Sequence, residues 1–276
     1  MPELPEVETV KNTLKKQILH KKIIASKIYW DNIIAYPSPK EFKREIINQN
    51  IIDIKRRGKW LMFELNDYYL LSHLRMEGKY FIKNEEDELS KHEHIVFTFE
   101  NKIKNSHEQL RYHDTRKFGK MYLIPKEEVF KTKPLKDLGL EPWDSNLNIN
   151  YLKQKFKNKP IKTELLDQSI IVGIGNIYAD EILFLSKINP LENAKTLSDE
   201  KIYKIIENTK KVLDEAIKEG GTTIKSYTSS EGVHGRFQNK LLVHTKDICP
   251  NCQTKIEKIT VGGRGTYFCP NCQKEK

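Results

Sequence analysis

The four cysteines of the chain form two Cys-Pro-Asn-Cys repeats, at 249–252 and 269–272. A Cys-x2-Cys segment supplies two thiolates from one tight turn, and zinc takes four such soft ligands at tetrahedral corners. Two of these turns separated by 16 residues predict one closed, structural zinc site, the alternative being four free or disulfide-paired thiols. Between the repeats, residues 260–268 indicate a β-hairpin with a glycine-rich tip that would carry Arg264. The predicted ligands are Cys249, Cys252, Cys269 and Cys272.

A second candidate site lies where an apolar run meets a predicted helix, in the segment GIGN at 173–176. The segment is similar to a dinucleotide-binding fingerprint, but Tyr178 occupies the place of the third glycine and argues against that function. Backbone N–H groups at a helix N-terminus can bind an anion, and Asn176 adds a side-chain donor. We therefore expect a phosphodiester here, the alternative being a glycine turn used only for close helix packing.

A third candidate is the basic segment KRRGK at 55–59, which comes just before a predicted strand. Alternation along a strand would turn Arg57 and Lys59 to one face and Arg56 to the other. The whole chain has 48 Lys and Arg against 38 Asp and Glu, a formal net charge of +10. This excess fits a polyanionic partner such as nucleic acid, although a solvated sheet edge would explain the segment equally well.

Hydrophobic periodicity predicts the elements that must position these residues. A helix is predicted over 2–19, because Val7, Val10, Leu14 and Ile18 recur at spacings of three and four. A β-rich domain with a helix near 40–48 and an exposed loop at 84–94 is expected to follow. Its predicted strands are 23–29, 51–56, 60–65, 69–74, 94–99 and 120–124.

The second half of the chain is predicted to be helical. Proline, glycine and lysine concentrate at 134–142, which indicates a linker and a domain boundary. Helices are predicted over 150–157, 161–168, 176–186 and 198–218. The last has Ser198 as its N-cap and Gly220-Gly221 as its stop. A loop rich in Thr, Ser and Gly follows at 222–240.

Composition argues against membrane proteins and mostly disordered proteins. The 276 residues are 38% hydrophobic and 31% charged, with a mean hydropathy of −0.64. The longest apolar runs fall far short of the roughly 20 residues that a transmembrane helix needs. The opening segment MPELPEVETV has glutamates where a secretory signal has lysines. We expect the protein to reside in the cytosol.

Taken together, the motifs resemble one family, the bacterial formamidopyrimidine-DNA glycosylases of the helix-two-turn-helix superfamily. Leu4 distinguishes them from the related endonuclease VIII enzymes, which typically carry glycine there. Two departures from the family pattern are Thr115, where proline is common, and Lys117, where arginine is common. The resemblance rests on MPELPEVETV at 1–10, RRGKWL at 56–61, SHLRMEGKY at 72–80, YHDTRKFG at 112–119, LLDQSIIVGIGNIYADEIL at 165–183 and TVGGRGTYFCPNC at 260–272.

The resemblance implies an α+β fold with three domains. These are an N-terminal β-sandwich with flanking helices (1–133), a helical helix-two-turn-helix domain (134–240) and a C-terminal β-ribbon zinc finger (241–276). It also implies one structural Zn²⁺, double-stranded damaged DNA as the partner and a monomeric protein. The segment 222–238 matches the part of the family that closes over an everted purine.

The resemblance further implies a bifunctional glycosylase and lyase. Pro2, once Met1 is removed, would attack C1′ of the damaged nucleotide through its amine, whose reference pKa of about 8 leaves a neutral fraction at pH 7. Glu3 would protonate the sugar ring oxygen. Lys59 would hold a phosphate and donate a proton in β-elimination, and Arg264 would grip phosphates and take part in δ-elimination.

Six further residues match positions at which the family contacts DNA. Asn176, Lys157 and His92, with His94 as the alternative to His92, would position the backbone. The residues that would fill the hole left by the flipped nucleotide are Met76, Arg116 and Phe118. Two rival functions are an endonuclease VIII-like enzyme for oxidised pyrimidines and a non-catalytic zinc-ribbon binder of nucleic acid. The latter would leave Pro2, Glu3 and Lys59 unexplained.

Overall fold

A computed structural model describes residues 1–100, 106–222 and 235–274, and the chain divides into two compact units. The first consists mainly of Glu6–Lys136. The second consists of Asp137–Thr222 and Arg236–Lys276, together with Glu3–Pro5. The division of the chain after residues 133 and 240 into three domains stays a prediction. Among the described residues, no helix combines the length and apolar composition needed to cross a bilayer.

The first unit is a sandwich of two β-sheets with helices packed on its core. One sheet has the strand order β1-β7-β8-β6 and the other β2-β9-β5-β4-β3, with only the β2–β9 pair parallel among the described strands. The elements are α1 (Leu4–Ile18), β1 (Ile23–Ile28), β2 (Ile34–Tyr36), α2 (Pro39–Ile46), β3 (Asp53–Arg57), β4 (Trp60–Glu64), β5 (Tyr68–His73), β6 (Lys79–Asn84), β7 (Glu93–Phe99), β8 (Glu108–His113) and β9 (Lys120–Pro125).

Alternation along the strands explains the core of the sandwich. Leu61 and Phe63 of β4 and Leu70 of β5 turn inward and join one buried cluster with Val7 of α1 and Phe97 of β7. The cluster thus unites both sheets with α1 and α2, and the predicted N-terminal β-sandwich with flanking helices is confirmed.

Three strands were not predicted, namely β2, β6 and β8. In β8 the buried positions include Gln109 and Arg111, so the strand lacks the apolar alternation that identifies its neighbours. The predicted exposed loop at 84–94 is too long at both ends, because Asn84 belongs to β6 while Glu93 and His94 are buried in β7.

The second unit contains the predicted helices. The longest helix covers residues 199–218, and its N-cap Ser198 accepts a hydrogen bond from the backbone N–H of Lys201 at 3.4 Å. Gly220 and Gly221 follow the end of this helix with φ of 74° and 81°. The predicted glycine-tipped hairpin is also present, with Gly262 and Gly263 between its strands. The elements are α3 (Ile149–Lys155), α4 (Ile161–Leu166), α5 (Asn176–Ser186), α6 (Asp199–Lys218), β10 (Glu257–Val261) and β11 (Arg264–Phe268).

Candidate functional site

The four cysteine sulfurs converge on one point. All four lie within 4.8 Å of one another, with Cys249 Sγ 3.8 Å from Cys272 Sγ and Cys252 Sγ 3.5 Å from Cys269 Sγ. Thiolates about 2.3 Å from a tetrahedral zinc ion are about 3.8 Å apart, whereas a disulfide requires about 2.05 Å. The cysteines are therefore not disulfide-paired, and their geometry fits one zinc ion.

Two adjacent acids on α5 bind the backbone of the segment that contains the cysteines. The buried carboxylate of Glu181 accepts the backbone N–H groups of Leu242, Val243 and His244 at 2.8, 3.0 and 2.8 Å. Burial raises the pKa of Glu181, and these three donors oppose that shift. Asp180 accepts the backbone N–H of Tyr267 at 3.2 Å. Sequence reasoning missed both acids, although two charges inside an otherwise apolar helix are a detectable signal.

A buried lysine continues this network to the start of α5. Lys162 Nζ lies 2.5 Å from Asp180 Oδ1 and donates to the backbone oxygen of Asn176 at 2.8 Å. Burial lowers the pKa of Lys162, and the Asp180 carboxylate opposes that shift. Asn176 Nδ2 donates to the Gly265 oxygen at 2.8 Å. The structure therefore brings Asn176 beside the hairpin that carries the exposed Arg264.

The anion at the N-terminus of α5 is a side chain of the protein itself. The buried Glu3 carboxylate accepts the backbone N–H groups of Gly175, Ile177 and Tyr178 at 2.7, 3.0 and 3.4 Å. Our prediction of a phosphodiester on these groups is wrong, because Glu3 already occupies them. Three donors at a helix N-terminus stabilise the ionised carboxylate.

The two glycines of the segment GIGN allow Glu3 and Leu4 to pack closely against the backbone at residues 173 and 175. A Cβ on Gly175 would lie 2.3 Å from Glu3 Cδ. A Cβ on Gly173, which has φ of 92°, would lie 2.3 Å from Leu4 Cδ1. The segment Glu3–Leu4 thus fits only against backbone without side chains, and the turn serves close packing in addition to binding the Glu3 carboxylate.

Lys59 lies in the two-residue turn between β3 and β4 rather than on a strand, so the predicted alternation of its face with Arg57 does not apply. Its side chain is mostly buried. Arg56 braces this turn by donating to the Gly58 oxygen and to Glu8 of α1, each at 2.9 Å. The alternative interpretation of the segment as a solvated sheet edge is therefore wrong for Lys59 and Arg56.

Sequence reasoning missed His73, which pairs with Trp60 across β4 and β5. Burial, followed by the charges of Arg75 and Lys59, lowers the pKa of His73 to about 3. His73 is therefore a neutral imidazole near Lys59, and its Nδ1 accepts the Arg75 backbone N–H at 3.0 Å. Pro2 is buried in the same unit.

The three residues expected to fill a duplex gap lie on two loops of the first unit. Met76 is half-buried in the Met76 loop (residues 74–78), and Arg116 and Phe118 are exposed in the Arg116 loop (residues 114–119). The Arg116 guanidinium lies 4.8 Å from the centre of the Phe118 ring. Asp114 shapes this loop by accepting the backbone N–H groups of Arg116 and Gly119 at 3.0 and 2.8 Å.

The remaining candidates differ in exposure. His94 is buried and its ring bonds to the Asp114 backbone oxygen at 2.8 Å. His92 is partly exposed and packs edge-on against His113, so it is the histidine that can reach a ligand. Lys157 is exposed, with its backbone N–H held by Glu164 at 3.0 Å. The predicted loop at 222–240 lies largely outside the described residues.

Three family models match the chain. They describe a formamidopyrimidine-DNA glycosylase N-terminal domain at residues 1–121, a formamidopyrimidine-DNA glycosylase H2TH domain at 138–228, and a zinc finger found in FPG and IleRS at 246–274. The formamidopyrimidine-DNA glycosylase of Oceanobacillus iheyensis is 47% identical over 282 residues, covering 100% of this chain and 99% of that relative. This chain belongs to the formamidopyrimidine-DNA glycosylase family. The resemblance that the motifs indicated is confirmed.

Other members of the formamidopyrimidine-DNA glycosylase family extend this result. The Bacillus subtilis enzyme is 46% identical over 281 residues and covers 100% of both chains. Two solved structures of the Lactococcus lactis enzyme, one with abasic-site DNA and one with N7-benzyl-Fapy-dG DNA, match with TM-scores of 0.90 and 0.91. Both are 38% identical and cover 99% of this chain and 100% of theirs.

The family assignment settles the broad function. As a formamidopyrimidine-DNA glycosylase family member, the chain is a DNA glycosylase of base-excision repair, and a non-catalytic zinc-ribbon binder is excluded. The predicted α+β fold with a helix-two-turn-helix domain is confirmed. One structural zinc belongs to the four cysteines, as predicted. Damaged DNA, the expected partner, is the ligand in these structural neighbours.

We expect Cys249→Ser or Cys269→Ser to lose zinc and to weaken duplex binding more than about a hundredfold, because the hairpin folds on the metal. Both cysteines are buried. The first unit has its own core and should keep its fold. Metal analysis, duplex titration and circular dichroism measure these effects. Gln253→Asn, at an exposed neighbour of Cys252, is the control. A zinc-free variant that binds duplex normally would contradict the expectation.

Proposed function

We propose that this chain excises oxidised purines, 8-oxoguanine and formamidopyrimidines, from duplex DNA and nicks the abasic strand by β,δ-elimination. The observation that carries the proposal is the buried Glu3 carboxylate, held by three backbone N–H groups directly after Pro2 in the chain. The relatives named formamidopyrimidine-DNA glycosylases support the same substrate class. We further propose that the enzyme acts as a monomer in the cytosol.

Pro2 and Glu3 suit successive steps of this reaction. The secondary amine of Pro2 attacks C1′, and the base departs with the electrons of the glycosidic bond. The amine must then lose its proton, which a carboxylate can accept and pass to the ring oxygen O4′ as the C1′–O4′ bond breaks. Because the structure stabilises the ionised form of Glu3, we propose that Glu3 first accepts a proton and then donates it.

The product of ring opening is an iminium that acidifies the C2′ proton, and loss of that proton breaks the C3′–O bond. Lys59 is the proposed phosphate-binding residue and proton donor for this step, and its braced, mostly buried turn holds it in one position. Arg264 is the proposed partner of the phosphates in the second elimination, together with Asn176. The exposed Lys157 and the half-buried His92 are proposed backbone contacts.

Excision measured on matched duplexes tests the substrate class. Duplexes that contain 8-oxoguanine or a formamidopyrimidine opposite cytosine should be processed faster than duplexes that contain thymine glycol. The motivating feature is Leu4, which packs against Gly173. Endonuclease VIII-like enzymes typically carry glycine at the position of Leu4. The proposed lesion-capping segment 222–238 lies largely outside the described residues. Faster turnover of thymine glycol would overturn the proposal in favour of the pyrimidine-specific rival.

We predict that Arg116→Ala reduces the preference for cytosine over adenine opposite the lesion by about tenfold, because its guanidinium donates hydrogen bonds to the orphaned base. Cytosine offers acceptors O2 and N3 on its pairing edge, whereas adenine presents a donor at N6. Met76→Ala should slow excision opposite either base, since Met76 replaces lost stacking and Phe118 wedges beside it.

Single-turnover excision on both duplexes measures this prediction. Arg44→Ala is a suitable control, because Arg44 is an exposed arginine on α2, paired only with its neighbour Glu45 among the ion pairs that the structure describes. Preserved selectivity in the Arg116 variant would show that the orphaned base is recognised by another residue.

A further inference from the structure

The Met76 loop and the Arg116 loop run side by side between the two sheets. The Met76 loop leads from His73 of β5 to Lys79 of β6, and the Arg116 loop leads from His113 of β8 back to Lys120 of β9. His73 pairs with Lys120 in one sheet, and Lys79 pairs with His113 in the other. Strand register therefore fixes both ends of the two loops next to each other.

A buried tyrosine joins the two loops at their base. A Cβ on Gly78 would lie 2.3 Å from the Tyr112 hydroxyl oxygen, and a Cβ on Gly119 would lie 1.8 Å from the same atom. The phenol thus occupies the space that side chains would fill on one glycine of each loop. The bases of both loops therefore pack against the same buried side chain.

The outer parts of the two loops are held by different contacts. The Arg116 loop has the two backbone bonds to Asp114, and Lys117, at φ of 57°, places its Nζ 3.9 Å from the centre of the Trp30 ring. The Met76 loop has the bond from Gly78 N–H to the Leu74 oxygen at 2.9 Å and the bond of Arg75 to His73. A side-chain hydrogen bond joins it to the other loop, in which the Thr115 hydroxyl donates to Glu77 Oε2.

We propose that the Thr115–Glu77 hydrogen bond is a positioning contact that holds Met76 at the spacing from Arg116 that entry into one duplex gap requires. This inference rests on the proposed function, because it presumes that both loops enter the hole left by an everted nucleotide. The bond links the outer part of the Met76 loop to the outer part of the Arg116 loop. Losing it therefore frees Met76 while Asp114 and Trp30 still hold the Arg116 loop.

Thr115→Val removes the hydroxyl with little change of shape. Its single-turnover excision rate for 8-oxoguanine should fall about three- to tenfold opposite both cytosine and adenine, as expected for loss of one solvent-exposed hydrogen bond. The cytosine preference should stay as in the unaltered chain. Thr115→Ser keeps a hydroxyl and should restore the rate. Thr132→Val, which removes a hydroxyl bonded to the Glu128 oxygen at 2.9 Å, is the matched control.

Glu77→Ala breaks the same bond from its other side and serves as the second variant. It should match Thr115→Val, and the double variant should be no slower than either single one, because both remove one interaction. A fluorescent base analogue beside the lesion should report slower loop insertion in both variants. Thermal unfolding should be unchanged, since Thr115 is exposed.

The possible results distinguish the positioning role of the Thr115–Glu77 hydrogen bond, called the link here, from the proposed function. An unaltered chain that fails to excise 8-oxoguanine would refute the proposed function and the link with it. An active unaltered chain with an unchanged Thr115→Val rate would refute only the link. Altered cytosine preference in Thr115→Val, additive effects in the double variant, or a slow Thr115→Ser would each overturn it as well.

Discussion

Borohydride trapping on an oligonucleotide that contains 8-oxoguanine will give an adduct whose cross-linked peptide begins at Pro2. A secondary amine condenses with C1′ to an iminium, which borohydride reduces to a stable bond, whereas a chain without an amine nucleophile gives no adduct. With Met1 retained, the Pro2 nitrogen is an amide without an available lone pair. We therefore expect the Met1-containing form to lose trapping and excision by at least about a thousandfold.

Mass spectrometry of the digested adduct identifies the attachment site, and it distinguishes Pro2 from the many lysines of the chain. A preparation enriched in the Met1-containing form is the matched control, because its remaining sequence is identical. Attachment to Lys59 or any other lysine would remove Pro2 from the mechanism, even if the protein were active.

Glu3→Gln should lower excision of 8-oxoguanine about a thousandfold, because the step loses a group that accepts and donates a proton. The amide also fits its surroundings poorly. The carboxylate receives N–H groups on both oxygens, from Ile177 on Oε1 and from Gly175 and Tyr178 on Oε2, and a glutamine places a donor against one set. Trapping on a preformed abasic site should change by less than about tenfold, since its sugar opens without the enzyme's acid.

Single-turnover excision and abasic-site trapping, measured on the same preparation, separate these two steps. Glu164→Gln is the matched control: Glu164 is also buried and accepts the Lys157 backbone N–H at 3.0 Å, which an amide oxygen can equally accept. Equal losses of excision and of abasic-site trapping in Glu3→Gln would show that Glu3 supports the structure of the site instead of transferring a proton.

Local patterns predicted the elements whose residues obey a simple period. The spacing of Val7, Val10 and Leu14 predicted α1, and the cysteine repeats predicted the convergence of their sulfurs, because a tight turn fixes each pair. Strand β8 escaped prediction because Arg111 is buried there, paired with Glu93 at 3.1 Å, and a charge inside a core contradicts the apolar pattern.

The contacts that shape the site were less accessible to sequence reasoning, because they join distant parts of the chain. Nothing near GIGN indicates that Glu3, 172 residues before Gly175, occupies its N–H groups. The predicted strands 51–56 and 60–65 already left Lys59 between them, but no local pattern indicated that its side chain is buried or that Arg56 donates to the Gly58 oxygen of this turn. The family motifs supplied the residues, whereas tertiary structure supplied their partners.

The bond between Glu3 and Gly175 also constrains how the enzyme is made in the cell. The ribosome adds about 5 to 20 residues per second, so synthesis of the 172 residues from Leu4 to Gly175 takes roughly 10 to 30 seconds. Throughout that interval Glu3 has no helix α5 to bind, so we expect the amino terminus to stay accessible to a peptidase that removes Met1. In the folded protein the adjacent Pro2 is buried. On the proposed role of Pro2, we therefore expect its maturation to occur on the nascent chain, and a polypeptide released before residue 175 would lack the groups that hold Glu3.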